Sequence, residues 1–292
     1  MFQHTHHDAP FEIESGIRDQ ISVLAVHYRD NIFRVTPFGG QLIAWEKQGT
    51  PVLFENQAAA LCDGKTAYRG GAPICAPYFG KGLLLPKQIA LEPQHGNARK
   101  SIWEIETSPQ QKSITCTTIQ DGPTTYGDSK LLITACYDFS TNHDLMITCT
   151  IKNLGTSSIP VQYVLHSYWQ SNDPASAVIT GLGSDYRDNL ENLLPKHHQD
   201  PAPQSYTPPF DRIYTNPSHQ LTLTTESYHL TITTSQTTGA VLWNPSSAHG
   251  LKDLKEPTFV CIESGIIDPA PNLNPDEAYS FTVSYDATPV SL

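Results

Sequence analysis

One pattern constrains this chain more than any other: short β-prone runs, each bounded by Gly, Pro, Asn or Asp, recur from end to end while helical periodicity is scarce. Such runs occupy residues 22–28, 32–36, 41–46, 101–107, 113–119, 130–139 and 144–152. They resume at 160–169, 177–180, 220–225, 229–234, 240–243, 258–263 and 279–285. In Ser113-Ile114-Thr115-Cys116-Thr117 and in His229-Leu230-Thr231-Ile232-Thr233 apolar and polar residues alternate, so each strand has one dry face and one polar face. Two packed antiparallel sheets satisfy that pattern, and the predicted fold is all-β, a single large antiparallel β-sandwich. No composition step or internal repeat divides the 292 residues, so one domain is expected over 1–292, with a loosely ordered N-terminal segment over 1–20.

Composition narrows the partners. Eighteen basic against 29 acidic residues give a net charge of −11, which opposes binding to nucleic acid or to an anionic membrane surface. No apolar run approaches the ~20 residues of a membrane-spanning helix. The start Met1-Phe2-Gln3-His4-Thr5-His6-His7-Asp8 has neither the basic region nor the apolar stretch of a signal peptide, so a cytoplasmic, monomeric protein is expected. None of the six cysteines forms the close pair of a zinc site. Cys116, Cys136, Cys149 and Cys261 lie in apolar or Thr-rich stretches and read as reduced core fillers. The surface clusters His4, His6, His7 and His197-His198 are left out of any site.

Three segments break the strand rhythm. Residues 64–97 form a Gly/Pro-rich loop carrying Arg69, Lys81, Lys87 and His95, long enough to suggest that it builds a site. Residues 186–210 read as a surface connection, and 244–257 as a polar excursion with one helical turn. Within the strands, Val164-Leu165-His166-Ser167-Tyr168-Trp169 places one imidazole among apolar and aromatic residues, which in isolation is the pattern of a hydrogen-bonded core histidine. Glu263 closes a buried-looking strand before a Gly turn. A carboxylate there must be paired, protonated or turned to a polar cavity, because burying it alone costs several kcal/mol. Arg69-Gly70-Gly71 lets the main chain approach a ligand closely, although a tight turn explains it equally. With Gln94-His95-Gly96-Asn97-Ala98-Arg99, it could offer two forked guanidinium groups to one phosphate or carboxylate.

The succession Arg69-Gly70-Gly71, Pro73, Cys75, Pro77, Phe79-Gly80, then Gln94-His95-Gly96, Ala98-Arg99 and Trp103 resembles the hexose-6-phosphate mutarotases, or glucose-6-phosphate 1-epimerases, of the galactose-mutarotase-like superfamily. His166-Ser167-Tyr168, Gly181-Leu182, Tyr186-Arg187-Asp188, Asp211-Arg212-Ile213-Tyr214, Trp243-Asn244-Pro245 and Cys261-Ile262-Glu263 continue the likeness in order. The resemblance implies a β-supersandwich and an isomerase that interconverts the α and β anomers of an aldohexose 6-phosphate without a cofactor. It also implies His166 as general acid, Glu263 as general base, Asp211 on the sugar hydroxyls, Arg69 and Arg99 on the phosphate, and Gln94 in the same pocket beside His95. Asn97 and Lys100 depart from the family pattern and bear on which sugar is taken. Reference pKa values of ~6.5 and ~4.3 predict a slightly acidic to neutral optimum unless neighbours shift them, and a nearby carboxylate such as Asp211 could help keep His166 charged. Two other readings fit the residues: a mutarotase of unphosphorylated aldoses, and a non-catalytic carbohydrate-binding sandwich that stacks Tyr168 and Trp169 on a sugar face.

Overall fold

A computed structural model describes residues 10–62, 66–127, 129–191, 193, 196–247, 254 and 257–290. Among them the alternating stretches become antiparallel strands in two large sheets. The first runs, in spatial order, Glu12–Arg18, Ile21–Tyr28, Asn31–Thr36, Gln41–Lys47, Thr50–Leu53, Tyr168–Gln170, Phe259–Ile266, Gly239–Asn244, Phe210–Tyr214, Asp185–Asp188 and Lys196–His198. Tyr163–Leu165 also pairs with Phe259–Ile266, and Ile74–Cys75 pairs in turn with Tyr163–Leu165, bringing this sheet to thirteen strands. The second sheet orders Val178–Thr180, Gln220–Thr224, Tyr228–Ser235, Ala278–Pro289, Leu145–Asn153, Lys130–Asp138, Ser113–Asp121 and Glu104–Ser108. Ile159–Pro160 and Asn272–Leu273 make a separate two-stranded ribbon.

The period of two decides what lies between the sheets. Along Leu145–Asn153 every other residue is buried, so Leu145, Ile147, Cys149 and Ile151 face inward, beside Leu131, Ile133, Ala135 and Tyr137 of the neighbouring strand. The first sheet answers with Phe33, Trp45, Tyr163, Leu165, Trp169, Val260 and Ile262, and the two faces share one continuous apolar core. Side chains of that size each gain about 1.5–3 kcal/mol on burial, so the sandwich needs no disulfide, and the described cysteines are all free. Cys116, Cys149 and Cys261 are core residues; Cys136, of opposite parity on its strand, is only half-buried and corrects the reading of it as core filling.

Several other expectations need correction. Glu12–Arg18 is a seven-residue strand registered against Ile21–Tyr28, so this part of 1–20 is ordered as a sheet edge; its mostly exposed side chains hid it from a hydrophobicity pattern. The connection at 186–210 contributes Asp185–Asp188, Lys196–His198 and the start of Phe210–Tyr214 to the first sheet. There His197 and His198 pair with Glu191 and Asp185 across 3.0 and 2.9 Å. The run at 160–169 is three short strands, interrupted at residues 161–162 and 166–167. The His4, His6, His7 cluster and most of 244–257 lie outside the described residues.

Strand Phe259–Ile266 is buried along its whole length. Its even-numbered residues Val260 and Ile262 enter the inter-sheet core, which turns Cys261 and Glu263 to the opposite face of the first sheet. The long loops cover that outer face.

Candidate active site

Strand register builds the centre of the site. Leu165 pairs with Ser264 and Tyr168 pairs with Cys261, three positions apart on each strand, so the intervening step sets His166 opposite Glu263. The ladder opens between those pairs: His166 N–H donates to Pro73 O, and Ser167 N–H to Leu165 O. The opening takes His166 out of the strand while Glu263 stays within Phe259–Ile266, paired with Val241, and His166 Nε2 comes to 3.4 Å from Glu263 Oε1. The row continues through Val241 to Ile213; a second row runs Tyr168, Cys261, Trp243, Asp211. A cavity of about 310 Å³ lies over these rows, and Arg69, Gln94, His95, Arg99, His166, Asp211 and Glu263 all line it.

The two arginine loops are locked onto the sheet by glycine. At Gly71 (φ 65°) a Cβ would stand 2.2 Å from Leu42 O, and at Gly96 (φ 69°) one would stand 2.1 Å from Ala76 O. Both positions therefore require glycine for φ and for space. The close approach lets Gly71 N–H donate to Phe54 O and Gly71 O accept from Tyr168 N–H, which fixes Arg69 beside the His166 segment. In the second loop Arg99 Nη2 donates to Gln94 O, while Trp103 Nε1 donates to Ala98 O and pins the turn Ala98–Lys100. His95 N–H donates to Gly80 O and His95 Nδ1 accepts Gly80 N–H, which fixes the ring with its Nε2 3.3 Å from Gln94 Nε2. Its ring meets His166 edge-on at 5.6 Å.

Burial dominates the electrostatics. His166 is 6 % exposed and Glu263 1 %. Desolvation, then the Arg99 and Arg69 charges, push the imidazole down to about 3, so it rests neutral. Burial, and then the Asp211 charge, raise Glu263 well above the usual carboxylate range, with Arg99 opposing. Asp211 is lifted to about 6 by burial, against the hydrogen bond it accepts from Asn189 Nδ2 at 2.7 Å. These shifts overturn two expectations. Asp211 acts on Glu263 rather than keeping His166 charged, and reference pKa values do not describe the pair. His95 is likewise pushed well down by burial, Arg99, His166 and Arg69. His166 Nδ1 and Glu263 Oε2 are buried with no protein hydrogen-bond partner. Unsatisfied buried groups of this kind, on a cavity wall, suit a polar ligand.

The aromatic surroundings differ from the sequence reading in one respect. Tyr168 lies flat against His166, with ring centroids 4.9 Å apart, and lines the cavity. Trp169 points the other way, into the core against Trp45 and Tyr285, and its Nε1 donates to Ile262 O. Trp243, which the sequence reading left out of the site, takes the cavity position, edge-on to both His166 and Tyr168. Lys81, already singled out with its loop, also lines the cavity, and Asn189 is a polar residue of the lining that sequence reasoning passed over. Strand parity was the available signal for Trp243, since it lies two residues beyond Val241 on one strand.

The family model of aldose 1-epimerase matches residues 31–286. The chain belongs to the aldose 1-epimerase family. Membership makes it an isomerase of the mutarotase type, acting on a sugar. Among curated relatives, a Cenchrus ciliaris protein provisionally named glucose-6-phosphate 1-epimerase is 25% identical over 280 residues, covering 87% of this chain and 80% of its own. One of Escherichia coli K12 with the same provisional name is 25% identical over 234 residues, covering 77% and 76%. A Salmonella typhimurium structure provisionally described as a mutarotase superposes with a TM-score of 0.75 over 97% of each chain at 19% identity, which shows the shared fold. Family members thus set the all-β sandwich, and no helix among the described residues is long and apolar enough to cross a membrane.

Proposed function

We propose that this epimerase interconverts the α and β anomers of an aldohexose 6-phosphate. The observation that carries the reading is the 3.4 Å contact between His166 and Glu263 on the wall of a cavity that two arginines also line. The anomeric O1 and the ring oxygen O5 are bonded to one carbon, so an acid and a base side by side can reach both. Glu263 takes the O1 proton while His166 gives one to O5, the C1–O5 bond opens, and the electron pair of O1–H becomes the aldehyde C=O. Rotation about C1–C2 presents the other face, and the same transfers in reverse close the ring.

Proton counting explains how so dry a site can run this chemistry. A protonated Glu263 beside a neutral His166 holds the same number of protons as a carboxylate beside an imidazolium, so one transfer across the contact arms the pair without solvent. Arg99 and Arg69 are also the charges that hold His166 deprotonated. A phosphate dianion bound between them offsets both charges; because Arg99 lowers Glu263 as well, the net help to His166 comes through Arg69, while burial still opposes the imidazolium. On this reading the phosphate contributes to turnover as well as to binding. Asp211, held by Asn189, meets sugar hydroxyls, Gln94 and His95 complete the wall beside Arg99, and Trp243 offers an apolar edge to the sugar ring.

Exchange NMR of anomeric protons, run on glucose, galactose and mannose with and without a 6-phosphate, tests the proposal. Exchange restricted to the phosphorylated sugars supports it. Equal catalysis of the free sugars identifies a mutarotase of unphosphorylated aldoses instead.

A further inference from the structure

Cys261 has no part in the proton transfers, yet it shares a strand face with Glu263 and stands in the same buried cluster. His166, Cys261 and Glu263 each turn one ligand atom to within 4.8 Å of the other two, and all three are buried. Among the described residues no other group of three or more His, Cys, Asp or Glu side chains is so disposed.

We propose that these three side chains form an inhibitory site for a thiophilic divalent cation such as Zn²⁺. This rests on the proton-transfer roles of His166 and Glu263 given above. One imidazole nitrogen, one thiolate and one carboxylate oxygen are a donor set suited to Zn²⁺ or Co²⁺, whereas Mg²⁺ and Ca²⁺ prefer oxygen alone. Zinc bonds of about 2.0–2.3 Å need donor atoms closer together than 4.8 Å, and side-chain rotation supplies the difference. Three protein ligands leave a fourth position for water or a sugar oxygen.

The exchange conserves charge. When Zn²⁺ binds, Cys261–SH and Glu263–COOH each release a proton to solvent while Zn–S and Zn–O bonds form. Two unit charges leave as one double charge arrives, so the field of Arg69 and Arg99 acts on an unchanged total. The ion then occupies the His166 lone pair and the Glu263 carboxylate together, which removes acid and base at once. Cys261 is what distinguishes this from generic imidazole–carboxylate binding.

Cobalt titration of the full chain under a non-thiol reductant tests the site directly. Wild type should develop the near-ultraviolet thiolate-to-cobalt charge-transfer band. Cys261→Ser and Cys261→Ala, first shown by circular dichroism and anomer exchange to be folded and active, should lack it. Zn²⁺ should inhibit wild-type exchange reversibly by chelator, the variants should need about tenfold more Zn²⁺ or beyond, and Mg²⁺ should do nothing. An identical cobalt spectrum in wild type and both variants, or equal zinc sensitivity, overturns the site. The cobalt band does not depend on turnover, so failure of the mutarotase reading would appear as absent exchange with the band intact.

Discussion

Asp211→Asn separates the electrostatic burden of the site from its chemistry. In the folded chain Asp211 keeps its proton up to about 6, whereas unfolded it titrates near 3.8. Between those values the folded state binds more protons, so stability is greatest below the lower one and falls as pH rises through the upper one. At 1.36 kcal/mol per pKa unit, the cost is about 3 kcal/mol when fully developed; between pH 4.5 and pH 8 it grows by about 2 kcal/mol. Asn cannot ionise, yet its carbonyl oxygen still accepts the Asn189 amide bond. It also relieves Glu263 of the Asp211 charge, an effect of the same sign. Urea unfolding of both proteins at pH 4.5 and pH 8 gives four free energies. The difference between variant and wild type should shift toward the variant by about 2 kcal/mol at the higher pH, whatever the pH-independent effect of the substitution. A shift below ~0.5 kcal/mol would show Asp211 to be solvated in the folded protein and would refute the desolvation argument for the whole outer face.

Other consequences follow from the same geometry. Glu263→Gln should slow anomer exchange by about 10² to 10⁴. Because burial raises Glu263, its stability cost is absent below its unfolded pKa and develops as pH rises above it, so the Gln variant should gain thermal stability at pH 8 and lose that gain toward pH 4; exchange at the wild-type rate would remove Glu263 from the mechanism. Arg99→Ala should lower kcat/KM for glucose 6-phosphate by roughly tenfold to a hundredfold without lowering it for free glucose, since charge-assisted hydrogen bonds are worth about 1.5–3 kcal/mol. Equal losses on both sugars would make Arg99 a general sugar contact. If the phosphate dianion frees His166, added phosphite should accelerate exchange of free glucose in wild type and not in an Arg69→Ala, Arg99→Ala double variant; a flat phosphite response in wild type contradicts that coupling.

What the sequence makes legible follows from periodicity. Ser113–Asp121, Lys130–Asp138 and Leu145–Asn153 announce themselves because one face of each is dry and the other polar, and the structure pairs them in sequence order. Glu12–Arg18 escapes because an edge strand needs only backbone partners, and Phe210–Tyr214 escapes because its outer face serves a cavity instead of solvent. For the site, composition places His166 and Glu263 on apolar strands, and order along the chain groups the arginine loops. Their meeting depends on a register spanning 97 positions of sequence, with Leu165 against Ser264 and Tyr168 against Cys261. No local pattern encodes that distance.

The same register accounts for the electrostatic surprises. A reference pKa presumes water, and two residues that each look like isolated polar positions on buried strands share no water once set face to face beneath the Arg69 and Arg99 loops. Parity then decides which neighbours matter: Trp243 and Asp211 fall on the cavity face with Glu263, while Trp169, adjacent to Tyr168 in sequence, is carried into the core. Proximity in sequence favoured Trp169 as the sugar platform; a period of two forbids Tyr168 and Trp169 from facing the same ligand. The position of a side chain across the sheet, more than its place along the chain, therefore sets its chemistry here.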